Sequence, residues 1–150
     1  MRTKNIENLE GFSGVILIPV FETNAKNLVP IEFHGVSVSS KVFYGKKDTY
    51  YVAEKYDCVH IFIGLGKSID YKTLKTTFRR IASKEKNTFG KDVVLVIPEI
   101  FTLQQVEATV SGLYLGTYDL GHFKKKDEHP FAKADFELAL LSKTDFFEAA

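Results

Sequence analysis

The sequence predicts an α/β protein with a mixed, mainly parallel sheet flanked by helices on both faces. Three observations carry this prediction. The runs Val15–Phe21, Val59–Ile63 and Val93–Ile97 are short, rich in β-branched residues and nearly free of polar alternation, as expected of strands buried on both faces. Two other segments repeat apolar residues at spacings of three and four, the period of a helix with one buried side. The order strand, helix, strand, helix from residue 58 to about 121 then calls for a right-handed crossover between parallel strands.

Taken along the chain, the first run (VILIPVF) is irregular near its end because Pro19 cannot donate to a ladder. Val36-Ser37-Val38-Ser39 alternates as a strand does, and Tyr50-Tyr51-Val52-Ala53 reads as another. Gly45-Lys46-Lys47-Asp48 reads as a turn between them. The second run follows Cys58, precedes Gly64 and contains one polar residue, His60. Tyr71, Leu74, Phe78, Ile81 and Ala82 mark the buried stripe of the first helix, with Gly90 placed as a left-handed stop beyond it. Pro98 ends the third run at residue 97. Leu103, Val106, Val110, Leu113, Thr117 and Leu120 mark the second helix, and Thr102 with Gln105 forms a capping box at its start. Gly121–Pro130 is a charged loop and Phe136–Leu141 a last strand. Lys143–Ala150 starts an amphipathic helix with Thr144 as N-cap and Asp145 near its positive end. So short a helix is marginal alone, so it is expected to fray and leave Phe146 and Phe147 partly exposed. It reads as the beginning of a longer element.

The 150 residues suit one domain, able to bury a core without metals or disulfides. Apolar residues are 45% and charged residues 26% of the chain, which excludes wholesale disorder. No apolar run is long enough for a transmembrane helix, and Met1-Arg2-Thr3-Lys4 is not followed by a signal-peptide core. One cysteine, Cys58, allows no internal disulfide and fits a reducing, cytoplasmic setting. A net charge of +1 favours neither nucleic acid nor a membrane as partner.

Few residues are arranged for chemistry. Gly64-Leu65-Gly66-Lys67-Ser68 joins a buried strand to a helix, the usual place for a phosphate loop. A P-loop needs a further glycine where Ile61 stands, and the dinucleotide fingerprint needs one where Ile69 stands. A tight structural turn is therefore expected, with Gly66 at positive φ or in close backbone contact. Lys72, Lys75, Arg79 and Lys86 line one side of the first helix, with Lys67 and Lys84 nearby. No aromatic residues interleave with them to stack on bases, which favours a solvated face. His34, His60, His122 and His129 are isolated in sequence, and Asp127-Glu128 lies in the charged loop. His60 is expected to be buried with its nitrogens satisfied, and Cys58 to pack as a small apolar group. No catalytic, cofactor-binding or metal-ligating residue is assigned.

One set of blocks is more specific. Gly112-Leu113-Tyr114-Leu115-Gly116-Thr117-Tyr118-Asp119-Leu120, leading through Phe123 to Lys124, resembles the E-G-x-x-L-x-x-Y-x-F-x-x-Y-K ending of the N-terminal domain of the leucyl (cytosol) aminopeptidase family. Phe43-Tyr44-Gly45-Lys46 resembles that domain's F-x-G-K turn, and Ile61–Lys67 its strand and G-L-G-K turn. The blocks keep the family's order; Ser111 and Leu120 depart from it where Glu and Phe are usual. The resemblance implies a macro-domain-like fold and a parent metallopeptidase that releases N-terminal amino acids using two divalent metals such as zinc, manganese or magnesium. It also implies that the ligands and catalytic residues belong to a C-terminal domain with the signature N-T-D-A-E-G-R, which does not occur here. This chain is then expected to be non-catalytic and free of cofactors, serving assembly or modulation. Its expected partners are the missing catalytic domain and like subunits of a hexamer. The alternative is a free-standing macro-like module binding ADP-ribose or a related nucleotide. Thr23-Asn24-Ala25-Lys26-Asn27-Leu28 resembles the N-A-A-N segment of such modules, but no glycine-rich phosphate loop follows it.

Overall fold

The computed structural model describes residues 2–22, 30–67, 69–85, 88–89, 92–117 and 137–141. Its elements are β1 (Arg2–Ile6), β2 (Gly14–Phe21), β3 (Ile31–Phe33), β4 (Val36–Val38), β5 (Tyr50–Lys55), β6 (Cys58–Gly66), α1 (Tyr71–Glu85), β7 (Asp92–Val96), α2 (Leu103–Thr117) and β8 (Glu137–Leu141). Six strands form one sheet in the order β1-β8-β7-β2-β6-β5, and β3 with β4 forms a separate hairpin. The first five run parallel, while β5 is antiparallel to β6 at one edge. The expected α/β class and the mixed, mainly parallel sheet are both present.

The three apolar runs became β2, β6 and β7, which lie side by side at the centre. Their lack of alternation follows from burial on both faces. Odd-numbered residues of β2, β6 and β7 (Val15, Leu17, Ile61, Ile63, Val93, Leu95) form one core with Leu74, Phe78 and Ile81 of α1 and Val106 and Leu113 of α2. Even-numbered residues (Ile16, Ile18, Phe62, Val94) form a second core with Val36 and Val38 of β4 and Phe43. Pro19 is tolerated in a central strand because β2 pairs with β7 only from Val15 to Leu17, so no donor is missed there.

The two described helices share one face of the sheet. Among the described residues both helices lie on the first face, packed on each other, and the second face is covered by the β3–β4 hairpin, Leu9, Phe12 and Phe43. A hairpin can do this because Val36 and Val38 alternate inward with Ser37 outward. Two strands were not expected: β1 (RTKNI) has a polar sequence, and β3 (IEF) spans three residues. Both are too short or too polar for a period to show. The capping box is formed: the Thr102 amide donates to Gln105 Oε1 at 2.7 Å, and the Gln105 amide donates to Thr102 Oγ1 at 3.3 Å. The expected features at Gly90, Gly121–Pro130 and Lys143–Ala150 lie outside the described residues.

The C-terminal end of α1 is tied to the sheet edge. Tyr50 Oη of β5 donates to Glu85 Oε1 at 2.9 Å, and Thr88 Oγ1 donates to Glu85 Oε2 at 2.9 Å. The bond to the carboxylate, with partial burial, holds the Tyr50 hydroxyl pKa above its ordinary value. Tyr50→Phe should lower unfolding stability by about 1 kcal/mol with little change in the near-UV spectrum of the core; an unchanged urea midpoint would show the bond to be idle.

Candidate functional site

The residues that the sequence singled out gather at three places. The first is a glycine node at the C-terminal ends of β2 and β6. The 43–49 turn folds over these ends: the Gly64 amide donates to the Thr49 carbonyl at 2.8 Å, and the Gly66 amide donates to the Gly45 carbonyl at 2.9 Å. A Cβ on Gly64 would overlap the Lys46 carbonyl oxygen, and one on Gly45 would lie 2.5 Å from the Phe21 carbonyl oxygen. Gly66 has φ of 70°, and a Cβ there would sit 2.9 Å from Lys47 Cβ. The expectation for Gly66 is met by its positive φ; the near atom is a side-chain carbon, with the Lys47 backbone at 3.6 Å. The amides that a phosphate loop would aim at an anion are spent here on protein carbonyls, so the tight-turn reading stands. Ser68 lies outside the described residues.

The second place is the seam between α1 and α2. A Cβ on Gly112 would overlap the Lys75 carbonyl oxygen, and one on Gly116 the Arg79 carbonyl oxygen. These glycines let the two helix backbones touch. The glycines of the three family-like blocks therefore sit at close backbone approaches, which accounts for glycine at these positions by packing. On the outer side of α1, Lys72, Arg79 and Lys84 are exposed, Arg80 pairs with Asp48 at 3.1 Å, and Lys75 Nζ lies 6.0 Å from the Tyr71 ring centroid. Asp48, Thr49, Tyr50, Thr77, Arg80, Ile81 and Lys84 line a cleft of about 400 Å³. Its charges are of both signs and select no ligand class. Lys86 lies outside the described residues.

The third place was not legible in the sequence. His34 and Gly35 form the two-residue loop between β3 and β4, with φ of 52° and 76°. Tyr56 and Asp57 form the two-residue loop between β5 and β6, with φ of 56° and 59°. Two central residues at positive φ define the turn whose twist suits a hairpin. A non-glycine residue held there costs about 1 kcal/mol. The two tips dock on each other: Lys55 Nζ donates to the Gly35 carbonyl, and the His34 ring meets the Tyr56 ring edge-on at 5.4 Å.

The docking places His34 Nδ1 2.9 Å from His60 Nε2. This corrects the sequence reading of isolated histidines. It also corrects the expectation for His60, whose side chain has no exposure but whose Nδ1 lacks a hydrogen-bond partner. Burial, then His34, then Lys55 push the His60 pKa below its ordinary value, against a weaker opposite pull from the Ala53 and Cys58 backbone. Cys58 behaves as expected: it is buried, with Sγ 3.4 Å from the Phe12 carbonyl oxygen. His122, His129 and Asp127-Glu128 lie outside the described residues.

No described group of three His, Cys, Asp or Glu side chains could hold a metal ion. The donors among the described residues do not fit a two-metal peptidase centre. No described helix is long and apolar enough to cross a membrane.

Among the described residues the chain forms a five-stranded parallel array with an antiparallel edge and two helices on one face, an α/β fold that it shares with parts of larger solved structures. A mutant of tomato leucine aminopeptidase has this fold, with a TM-score of 0.67 and 11% identity, over 96% of this chain and 33% of that one. The bottromycin maturation enzyme BotP matches with a TM-score of 0.58 and 13% identity, over 88% of this chain and 28% of that one. A structure of BotP in complex with Mn matches with a TM-score of 0.53 and 15% identity, over 88% of this chain and 27% of that one. The likeness is to the N-terminal third of such enzymes, so this chain spans a third or less of the structures it matches. No protein-family profile matches the sequence, and no curated protein matches it in sequence.

Proposed function

We propose that this chain is the non-catalytic N-terminal domain of a metallopeptidase of leucyl aminopeptidase type and that it serves assembly or modulation of the parent enzyme. The parent activity is metal-dependent release of N-terminal amino acids from peptides. The partners are the catalytic domain and like subunits, in the cytoplasm. The observation that carries this reading is the extent of the fold likeness: nearly all of this chain aligns with one third of an aminopeptidase. Two further points support it. The three blocks that resemble the family in sequence are the ones whose glycines seal the strand ends and the helix seam. The aligned part of BotP is likewise a minor share of that enzyme, 28% of its chain.

The test uses the product of the whole gene beside a version lacking residues 1–150. A manganese-dependent aminoacyl-anilide hydrolysis is expected from the whole product and none from residues 1–150 alone. Removing residues 1–150 should change the molar mass in light scattering or the kinetic constants. Hydrolysis by residues 1–150 alone overturns the reading, as does a gene product without a metal-binding domain. A rise in melting temperature with ADP-ribose would favour the nucleotide-binding module instead.

A further inference from the structure

We propose that His34 is the catch of a proton-released latch: at neutral pH its ring holds the β3–β4 hairpin onto the sheet through His60, and acid frees the hairpin and uncovers the second face. The inference is independent of the peptidase reading, because it uses only this chain's own residues.

The position of His34 is the first argument. The first central residue of a two-residue loop with both φ values positive is ordinarily Asn, Asp or Gly. Here a histidine bears the left-handed backbone, with φ of 52°, and its ring reaches a fully buried partner. The second argument is how the hairpin is held. β3 and β4 pair only with each other. Their hold on the sheet comes from Val36, Val38 and the partly buried Ile31 and Phe33, together with the polar contacts of the tip. A small unit attached through side chains opens more readily than a strand in the sheet.

The third argument is chemical. One ring must donate and the other accept. We take His34 Nδ1–H as the donor and His60 Nε2 as the acceptor, which puts the proton of neutral His60 on Nδ1. His34 can take up a proton on its other nitrogen and still donate. His60 cannot, because a proton on Nε2 would face the His34 N–H across 2.9 Å. The surroundings offer only partial relief: the backbone of Ala53 and Cys58 favours protonation, more weakly than burial and His34 oppose it. On this face β2 presents Ile16 and Ile18, β4 Val36 and Val38, β5 Tyr51 and Ala53, and the 9–12 segment Leu9 and Phe12, none of them charged. The tips add Lys55 and Tyr56, and β6 adds Cys58. The charged groups acting on His60 are His34 and Lys55, both opposing its protonation, with no carboxylate among them.

The sign follows. The His60 pKa is depressed while the hairpin is docked and returns toward 6.5 when it is released. The released state therefore binds more protons, so the docked state is fully favoured above that value and is lost as pH falls below it.

The experiment is hydrogen exchange on the whole chain between about pH 7.5 and pH 5, corrected for the intrinsic rate, with His ring titration followed by NMR in the same samples. Amides of residues 32–38 should lose protection by up to about tenfold per pH unit as pH falls from 6.5, the ordinary histidine value, toward the depressed value of docked His60, while those of β2 and β7 stay unchanged. His34→Asn suits the turn and does not titrate; its hairpin protection should be low and vary by less than about twofold across the range. Four outcomes overturn the proposal: a hairpin still protected at the acid end, loss shared equally by β2, an unaltered pH response in H34N, or loosening that does not track proton uptake by His60. Should H34N fail to fold, the ring titration of the native chain decides by the last of these.

Discussion

Gly64→Ala should destabilise the fold by about 3 kcal/mol or more. The new methyl group would overlap the Lys46 carbonyl oxygen, with the Gly45 carbonyl carbon 2.9 Å away. Both atoms belong to backbone that the Gly64 and Gly66 amides hold in place, so neither can move without breaking a ladder at the end of β6. Gly11→Ala is the comparison that isolates the cause. Gly11 has φ of 72° but open space around it, so alanine there carries the left-handed strain alone, about 1 kcal/mol. Urea unfolding of the two variants should separate their midpoints clearly at an equal slope. Equal losses would mean that backbone conformation, and not the interlocked turn, governs the node.

Phe78→Ala should cost about 3 to 5 kcal/mol, because a fully buried aromatic ring leaves a cavity that its neighbours fill only in part. Phe78 has no exposure and stands in the core between α1 and the sheet. Its Cβ, which alanine keeps, would lie 3.1 Å from a Cβ built on Gly112, so the substitution reports the loss of the ring alone. Leu115→Ala, on the exposed side of α2, should stay within about 0.5 kcal/mol of the native protein. A loss at Phe78 no larger than at Leu115 would remove the first-face core as the source of stability.

Both predictions start from residues whose type was legible in sequence but whose partners were not. Phe78 belongs to a stripe of helical period, and such a stripe reports burial without reporting what covers it. Gly45 and Gly64 read as turn residues; their contact depends on the 43–49 turn folding back over the ends of β2 and β6. The helix expected from periodicity begins at Tyr71 as the stripe requires, and the capping box at Thr102 and Gln105 forms as expected because both partners lie within one turn. β1 escaped notice because RTKNI gains its strand conformation from pairing with β8, more than 130 residues along the chain, and not from its own pattern.

What the sequence determined by itself is local and periodic: the central strands β2, β6 and β7, both helices and their start, the α/β class, and the tight turn at Gly66. These follow from the spacing of apolar residues and from the backbone freedom of single positions, which act over a few residues. The tertiary structure decided the rest. It placed both described helices on one face and a hairpin on the other. It also brought His34 within 2.9 Å of His60, 26 residues away. No periodicity encodes that pair. It exists because two hairpin tips with left-handed turns dock against each other, and docking is a property of assembled surfaces rather than of any segment's own sequence.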